Sequence, residues 1–257
     1  MIQLPTEPRT ISKTGHRAVF EIGPLYPGYG MTIGNTLRRV LMSSLEGAAI
    51  TSVKIKGVDH EFSAIEGVLE DVIEIILNLK KIRFKVFKDE PILLMLHSKS
   101  EGAVTAKDIK SSADAEIVDP NQHIATITNK KTELEMELTI ERGIGYVPAE
   151  LRQKEKLGVG KIAIDGIFTP IKNVNFTVEN IRVGQRTDYN KVLLDVETDG
   201  SINPEEALKR AAQILVEHFN VVTNIDVPKE DTQAETKTKK KAKSAKGGSA
   251  SGGKNEK

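Results

Sequence analysis

MTIGNTLRRVLMSSLEG, Met31 to Gly47, decides how this chain is read. Its apolar residues Ile33, Leu37, Val40, Leu41 and Leu45 fall at steps of four, three, one and four, the spacing of one helical stripe. Arg38 and Arg39 are consecutive, hence about 100° apart around a helix, so they cannot both lie under that stripe. The segment predicts a helix with an apolar face for packing and a cationic edge for a partner. Thr32 is the expected N-cap, and Gly47 the expected residue just past the C-terminus.

Upstream, HRAVFEIGPLYPGYG (16–30) opens as a strand. Gly23, Pro24, Pro27, Gly28 and Gly30 then predict a stretch without regular structure. Gly28, Gly30 and Gly34, lying between strand and helix, invite a phosphate-binding reading. The last gap is one residue too long for the dinucleotide fingerprint and the prolines interrupt the tight turn it needs, so that reading is rejected. Gly158-Val159-Gly160-Lys161 lacks the upstream spacing of a P-loop and the Ser/Thr after its lysine, and is expected to be a turn.

Downstream, AITSVKIKG (49–57) alternates Ile50, Ser52 and Lys54 with Thr51, Val53 and Ile55, which predicts a strand with one solvated face. VLEDVIEIILNLKK (68–81) carries Val68, Leu69, Val72, Ile73, Ile76 and Leu79 at helical spacing, with Ser63 and Glu66 as an upstream capping box. IRFKVF (82–87), ILLMLHS (92–98), ELEMELTIERG (133–143), GKIAIDGIF (160–168), FTVENIRVG (176–184) and NKVLLDVETDG (190–200) read as strands. In the third of these segments, ELEMELTIERG, Leu134, Met136, Leu138 and Ile140 share one face. INPEEALKRAAQILVEHFNVV (202–222) is a third helix: Asn203 as N-cap, Pro204 at the first position and Glu206 at the third form its start signal, and Leu208, Ala211, Leu215 and Phe219 its stripe. Three helices among many strands predict an α+β chain. If the first and third helices share a core, the strand-rich middle is an insertion.

The 257 residues contain no cysteine, which excludes disulfides and thiolate metal sites and fits a reducing compartment. No apolar run approaches the roughly 18 residues of a membrane span, and MIQLPTEPRT lacks the layout of a signal peptide, so an intracellular protein without membrane contact is expected. The net charge of +1 hides a split: residues 228–257 hold nine lysines and four acids, leaving 28 basic and 32 acidic residues in the remainder. The body is therefore mildly acidic, unlike a dedicated DNA-binding domain. The lysine-rich end is expected to be disordered. Two readings of it stand: weak, sequence-independent contact to DNA phosphates through residues 237–254, or a solvated extension. Five dispersed histidines, no HExxH, no GxSxG and no thiol leave no catalytic constellation and no metal site in view. An independent enzyme lacks its site on this reading, and an autonomous nucleic-acid binder lacks a basic folded surface.

Five ordered segments then point to a family: GYGMTIGNTLRRVLMSS (28–44), GVDHEFSAIEGVLEDVIEIILNLK (57–80), ERGIGYVPA (141–149), RVGQRTDYNKV (182–192) and INPEEALKRAAQIL (202–215). Together they resemble the alpha subunits of bacterial-type DNA-directed RNA polymerase over about residues 1–226. The resemblance implies a discontinuous dimerisation subdomain of a sheet and two helices (1–46 and 170–226), an inserted strand-rich subdomain (47–169) and the tail (227–257). It implies a homodimer, built by Leu37, Leu41, Leu45, Leu208, Ala211, Leu215 and Phe219, that scaffolds the two large catalytic subunits. Asn35, Arg38, Arg39, His60, Glu61, Phe62 and Ser63 would face the beta subunit; Lys80, Arg182, Gln185 and Arg186 would face beta-prime. Either Arg38 or Arg39 is expected to form a salt bridge within the chain. The resemblance further implies that this subunit of a nucleotidyltransferase carries no catalytic residue, metal or cofactor of its own, the phosphoryl-transfer chemistry and its magnesium belonging to the large subunits. A cytoplasmic location follows, with a plastid as the alternative. Many family members continue into a helical C-terminal domain that binds promoter DNA; the lysine-rich end is expected to stand in its place.

Overall fold

The computed structural model describes residues 2, 4–110, 112–153 and 160–225. The lysine-rich tail and Gly158-Val159, half of the Gly158–Lys161 segment, lie outside them. The chain runs β1 (Arg9–Thr14), β2 (Arg17–Leu25), α1 (Tyr29–Ser43), β3 (Glu46–Ile55), α2 (Val72–Leu79), β4 (Phe84–Val86), β5 (Ile92–Ser98), β6 (Gly102–Thr105), a 3-10 turn (Ala106–Asp108), β7 (Ala115–Ile117) and β8 (His123–Ile127). It continues through β9 (Leu134–Ile144), β10 (Tyr146–Val147), α3 (Ala149–Gln153), β11 (Ile162–Ala163), β12 (Gly166–Ile167), β13 (Ile171–Val183), β14 (Arg186–Thr198) and α4 (Pro204–Thr223). The fold is α+β. One four-stranded sheet has the order β1-β2-β14-β13 and a second β11-β3-β9-β5; β10-β12, β4-β7 and β6-β8 form three two-stranded ribbons. All these pairings are antiparallel.

Buried side chains form two clusters. One draws on residues 48–164 and is centred on the inward face of β9, where Leu134, Met136, Leu138 and Ile140 are almost fully buried. The other draws on residues 18–45 and 171–211 and joins β2, β14, α1 and the first turns of α4. By compactness the chain divides between Glu217 and His218, within α4. Among the described residues no helix is long and apolar enough to cross a membrane.

The α1 helix sits against the first sheet because glycine lets it. A Cβ at Gly30 would come within 2.6 Å of Val178 Cγ1, and one at Gly34 within 2.5 Å of the Phe176 ring. The glycine-rich lead-in thus serves close helix–sheet packing. The helix starts at Tyr29, earlier than the expected Thr32. Gly28 stands at the N-cap with φ 87°, which glycine adopts without the Cβ penalty. The capping oxygen comes from another strand: Asn190 Oδ1 accepts hydrogen bonds from Gly28 N–H (2.8 Å) and Gly30 N–H (3.4 Å). Those N–H groups are the donors a phosphate would need, and they are already engaged.

Several expectations are corrected. The segment 23–30 is not irregular throughout: β2 runs through Pro24 to Leu25, beyond the last register pair that β1 makes with it at Glu21, so proline removes no bond to β1 there. Gly47 does not terminate α1, which ends at Ser43 with Ser44 N–H bonded to Val40 O at 2.9 Å; Gly47 lies in β3. Strand β3 has no solvated face over Ala48–Val53, because its register shifts between Ile50 and Ser52 and both sides of that stretch are covered. The cap of α2 is Asp71, whose Oδ1 accepts from Glu74 N–H at 2.7 Å, not Ser63, and Val68 and Leu69 precede the helix. The segment 160–168 is two short strands with different partners. Strands β1, β6, β7, β8 and β10, and helix α3, have no counterpart in the sequence reading.

Leu37, Leu41, Leu45, Leu208 and Ala211, expected between two copies of the chain, are buried within one copy by its own sheet and helices. Leu215 is partly buried against the same cluster, and Phe219 is exposed.

Candidate protein-docking surface

With its leucine stripe held by the sheet, α1 turns Asn35, Arg38 and Arg39 to solvent. Among the described residues neither arginine has an ion-pair partner, so the expected intrachain salt bridge is absent. The nearest polar event is backbone: Ser43 Oγ donates to Arg39 O at 2.8 Å. Each guanidinium keeps its fork of five N–H donors for an external carboxylate or carbonyl.

The 60–63 turn is closed by Ser63 N–H to His60 O (3.3 Å) and by a 3.2 Å contact between Ser63 Oγ and His60 Nδ1. Val72 N–H, at the start of α2, bonds Ser63 O at 3.2 Å and ties the turn to that helix. The turn leaves Phe62 76% exposed, a large apolar ring in water. Glu61 lines a groove of about 280 Å³ together with Ile73 and Leu77 of α2, Lys80 and Asp165. Lys80 Nζ meets Asp165 Oδ2 at 2.7 Å, and Ala149 N–H donates to Asp165 Oδ1 at 2.8 Å. The Lys80 ammonium first, and the Ala149 N–H second, hold the Asp165 carboxyl below its ordinary range. Glu61 and Lys80, expected to face different partners, therefore share one groove.

The β13–β14 hairpin turns at Gly184 (φ 62°) and Gln185, which is exposed. Arg182 Nε donates to Gly184 O at 2.9 Å across that turn. Arg186 Nε and Nη2 bond both Asp188 oxygens at 3.0 and 2.7 Å, and its guanidinium lies 5.6 Å from the Tyr26 ring centroid and 5.5 Å from that of Tyr189. Asp188, and then Tyr26, raise the Arg186 pKa above the usual arginine value. Both arginines expected at a partner thus shape the hairpin itself, and Arg186 also joins it to the segment before α1 through Tyr26. Arg186→Ala should accelerate amide hydrogen exchange around Tyr189 while leaving the global melting temperature in place; unchanged exchange would remove the clamp from the account.

The sequence reading missed Asn190, which fixes the α1 entrance. Its signal was present: Asn190 keeps the inward phase of Val192, Leu194 and Val196, where a polar residue needs a partner. Asp165, 85 residues from Lys80, had no local signal. Among the described residues no group of three or more His, Cys, Asp or Glu could hold a metal.

Outward cations on a core-locked helix, an exposed aromatic turn and an apolar groove are features of a subunit that docks other proteins. The RNA polymerase Rpb3/RpoA insert domain family matches residues 53–169. The chain is 54% identical over 202 residues to the DNA-directed RNA polymerase subunit alpha of Moorella thermoacetica, covering 79% of this chain and 64% of that protein. It is 49% identical over 219 residues to that of a Roseiflexus species (85% and 67%) and 49% over 215 residues to that of Oceanobacillus iheyensis (84% and 68%). The chain belongs to the family of DNA-directed RNA polymerase alpha subunits, and its matched part spans about two thirds of these relatives' length.

Proposed function

We propose that this chain is a non-catalytic assembly subunit of a bacterial RNA polymerase, acting in the cytoplasm, which pairs with a second copy and holds the beta and beta-prime subunits. The observation that carries this reading is the Asn35-Arg38-Arg39 face. Two unpaired guanidinium groups stand on a helix whose opposite side is locked into the core, so little order is lost when they bind. The Phe62 turn adds a hydrophobic anchor, and the Glu61–Lys80 groove a second docking element. The relatives' names support the polymerase context.

Because the leucine stripes are occupied within one copy, pairing with a second copy is assigned instead to the exposed apolar residues Phe219, Val221, Val222 and Ile225. Coexpression with beta and beta-prime chains, followed by native mass measurement, tests the proposal: a complex of two copies with one of each large subunit is expected. Arg38→Ala combined with Arg39→Ala should leave the protein folded and paired but weaken beta capture about ten-fold or more. Undiminished capture by the folded variant would overturn the assignment.

A further inference from the structure

A cleft of about 580 Å³ is lined by none of the residues used above for docking. One wall holds Lys81 and Arg83, just after α2, and Asp119, after β7; the other holds His16, Lys172 and Asp199 from the first sheet and its turns. Both walls are fixed by backbone bonds. Val118 N–H reaches Arg83 O at 3.0 Å on one side; Thr198 N–H reaches His16 O and Asp199 N–H reaches Pro170 O, each at 2.9 Å, on the other.

The acids in the cleft are largely committed. Asp199 is nearly buried, accepts from Ser201 N–H at 2.9 Å and lies 3.6 Å from Arg83 Nε. Asp119 accepts from Asn121 N–H at 3.0 Å. The cations are not neutralised to the same degree. Among the described residues, Lys81 meets the neutral Asn78 oxygen at 3.1 Å and neither Lys81 nor Lys172 has an ion pair. Arg83 is held half-buried by Nη1 to Ile167 O (2.8 Å) and by Asp199 at Nε, and its Nη2 carries two further donors. A mildly acidic body therefore carries a cleft whose lining has three cations against two carboxylates, one of which is paired with Arg83.

We propose that this cleft binds an oligophosphate anion, with Arg83 as the oriented fork and Lys81 and Lys172 as flanking point charges. Its volume exceeds what one orthophosphate fills and falls in the range of small-ligand sites. Three cations from two segments, Lys81 and Arg83 after α2 and Lys172 in β13, suit a ligand with charges spread along a chain. The lining holds no Phe, Tyr or Trp, and the imidazole of His16 is its one ring, so the phosphates are taken as the recognised part and ATP is the probe for a base.

Isothermal titration of the full chain with inorganic tripolyphosphate, pyrophosphate, orthophosphate and ATP at 0.15 M salt is the test. Tripolyphosphate should bind saturably with Kd below about 1 mM, orthophosphate more weakly, and ATP no more tightly than tripolyphosphate. Lys81→Gln combined with Lys172→Gln, both exposed positions, should weaken tripolyphosphate at least about ten-fold with an unchanged melting curve. The double variant keeps every lysine after residue 228, so unchanged binding would assign the affinity elsewhere and overturn the proposal. Absence of saturable binding to the parent chain would do the same, and tighter binding of ATP than of tripolyphosphate would show base recognition and refute the ligand class.

Discussion

Leu41→Asp is expected to abolish cooperative folding of the sheet that carries α1, not merely to separate two copies of the chain. Leu41 is completely buried among Leu37, Leu45, Leu194, Val196 and Ala211. The substitution forfeits about 2 kcal/mol of leucine burial and places a carboxylate in an apolar cluster, at a further cost of several kcal/mol. Against a total stability of about 5–15 kcal/mol, that sum is decisive. Burial raises the pKa of the new aspartate above its unfolded value. Any residual stability should therefore be fully present below about pH 4 and fall as pH rises through the folded-state pKa. Thermal melting at several protein concentrations separates the models: a variant that melts like the parent, yet as a single copy, would return Leu41 to an intermolecular face.

Gly47→Ala should be the second large loss, although it adds a single methyl group. The new Cβ would lie 1.9 Å from Phe168 O, a backbone atom that cannot rotate away. The neighbourhood has no slack. Gly47 pairs with Gly143 across β3 and β9, and the buried Phe168 ring sits within 2.8 Å of a Cβ built at Gly143 and 2.6 Å of one built at Gly166. Overpacking against backbone is expected to cost about 3 kcal/mol or more, which for a domain of this size lowers the melting temperature by about 6–12 °C. A melting temperature within a degree or two of the parent would mean that the strand shifts freely at this point.

The contrast between these positions shows what could be read from the chain. The α1 stripe, the alternation of β9 and the Asn203-Pro204 start of α4 were legible because each is a local period or a local signal. The partners of those faces were not. The same leucines satisfy an intrachain and an interchain core equally well in one dimension, and only the sheet beneath them decides. Strand β3 misled because its single register shift changes which residues face inward, a change no alternation rule records. The start of α1 was misplaced because its capping group arrives from residue 190. Of the residues expected at partners, Arg38, Arg39, Phe62, Arg182 and Arg186 are all exposed, and the last two also bond within their own hairpin. An arginine's partner is a matter of three-dimensional neighbourhood: Asp188 and Tyr189 lie near Arg186 in sequence, but Tyr26 arrives from 160 residues away.

The crowding at Gly47 also has a thermodynamic side. Residues 47 and 168 touch, so the long excursion between them leaves and re-enters the surrounding fold at a single point. An unstructured loop of about 120 residues would charge its host about 4 kcal/mol in closure entropy. Once the excursion has formed its own core and brought its two ends together, that cost is already met. The host sheet is then closed as though its strands were joined by a tight turn, and the contact between one glycine and one carbonyl marks where that turn would lie.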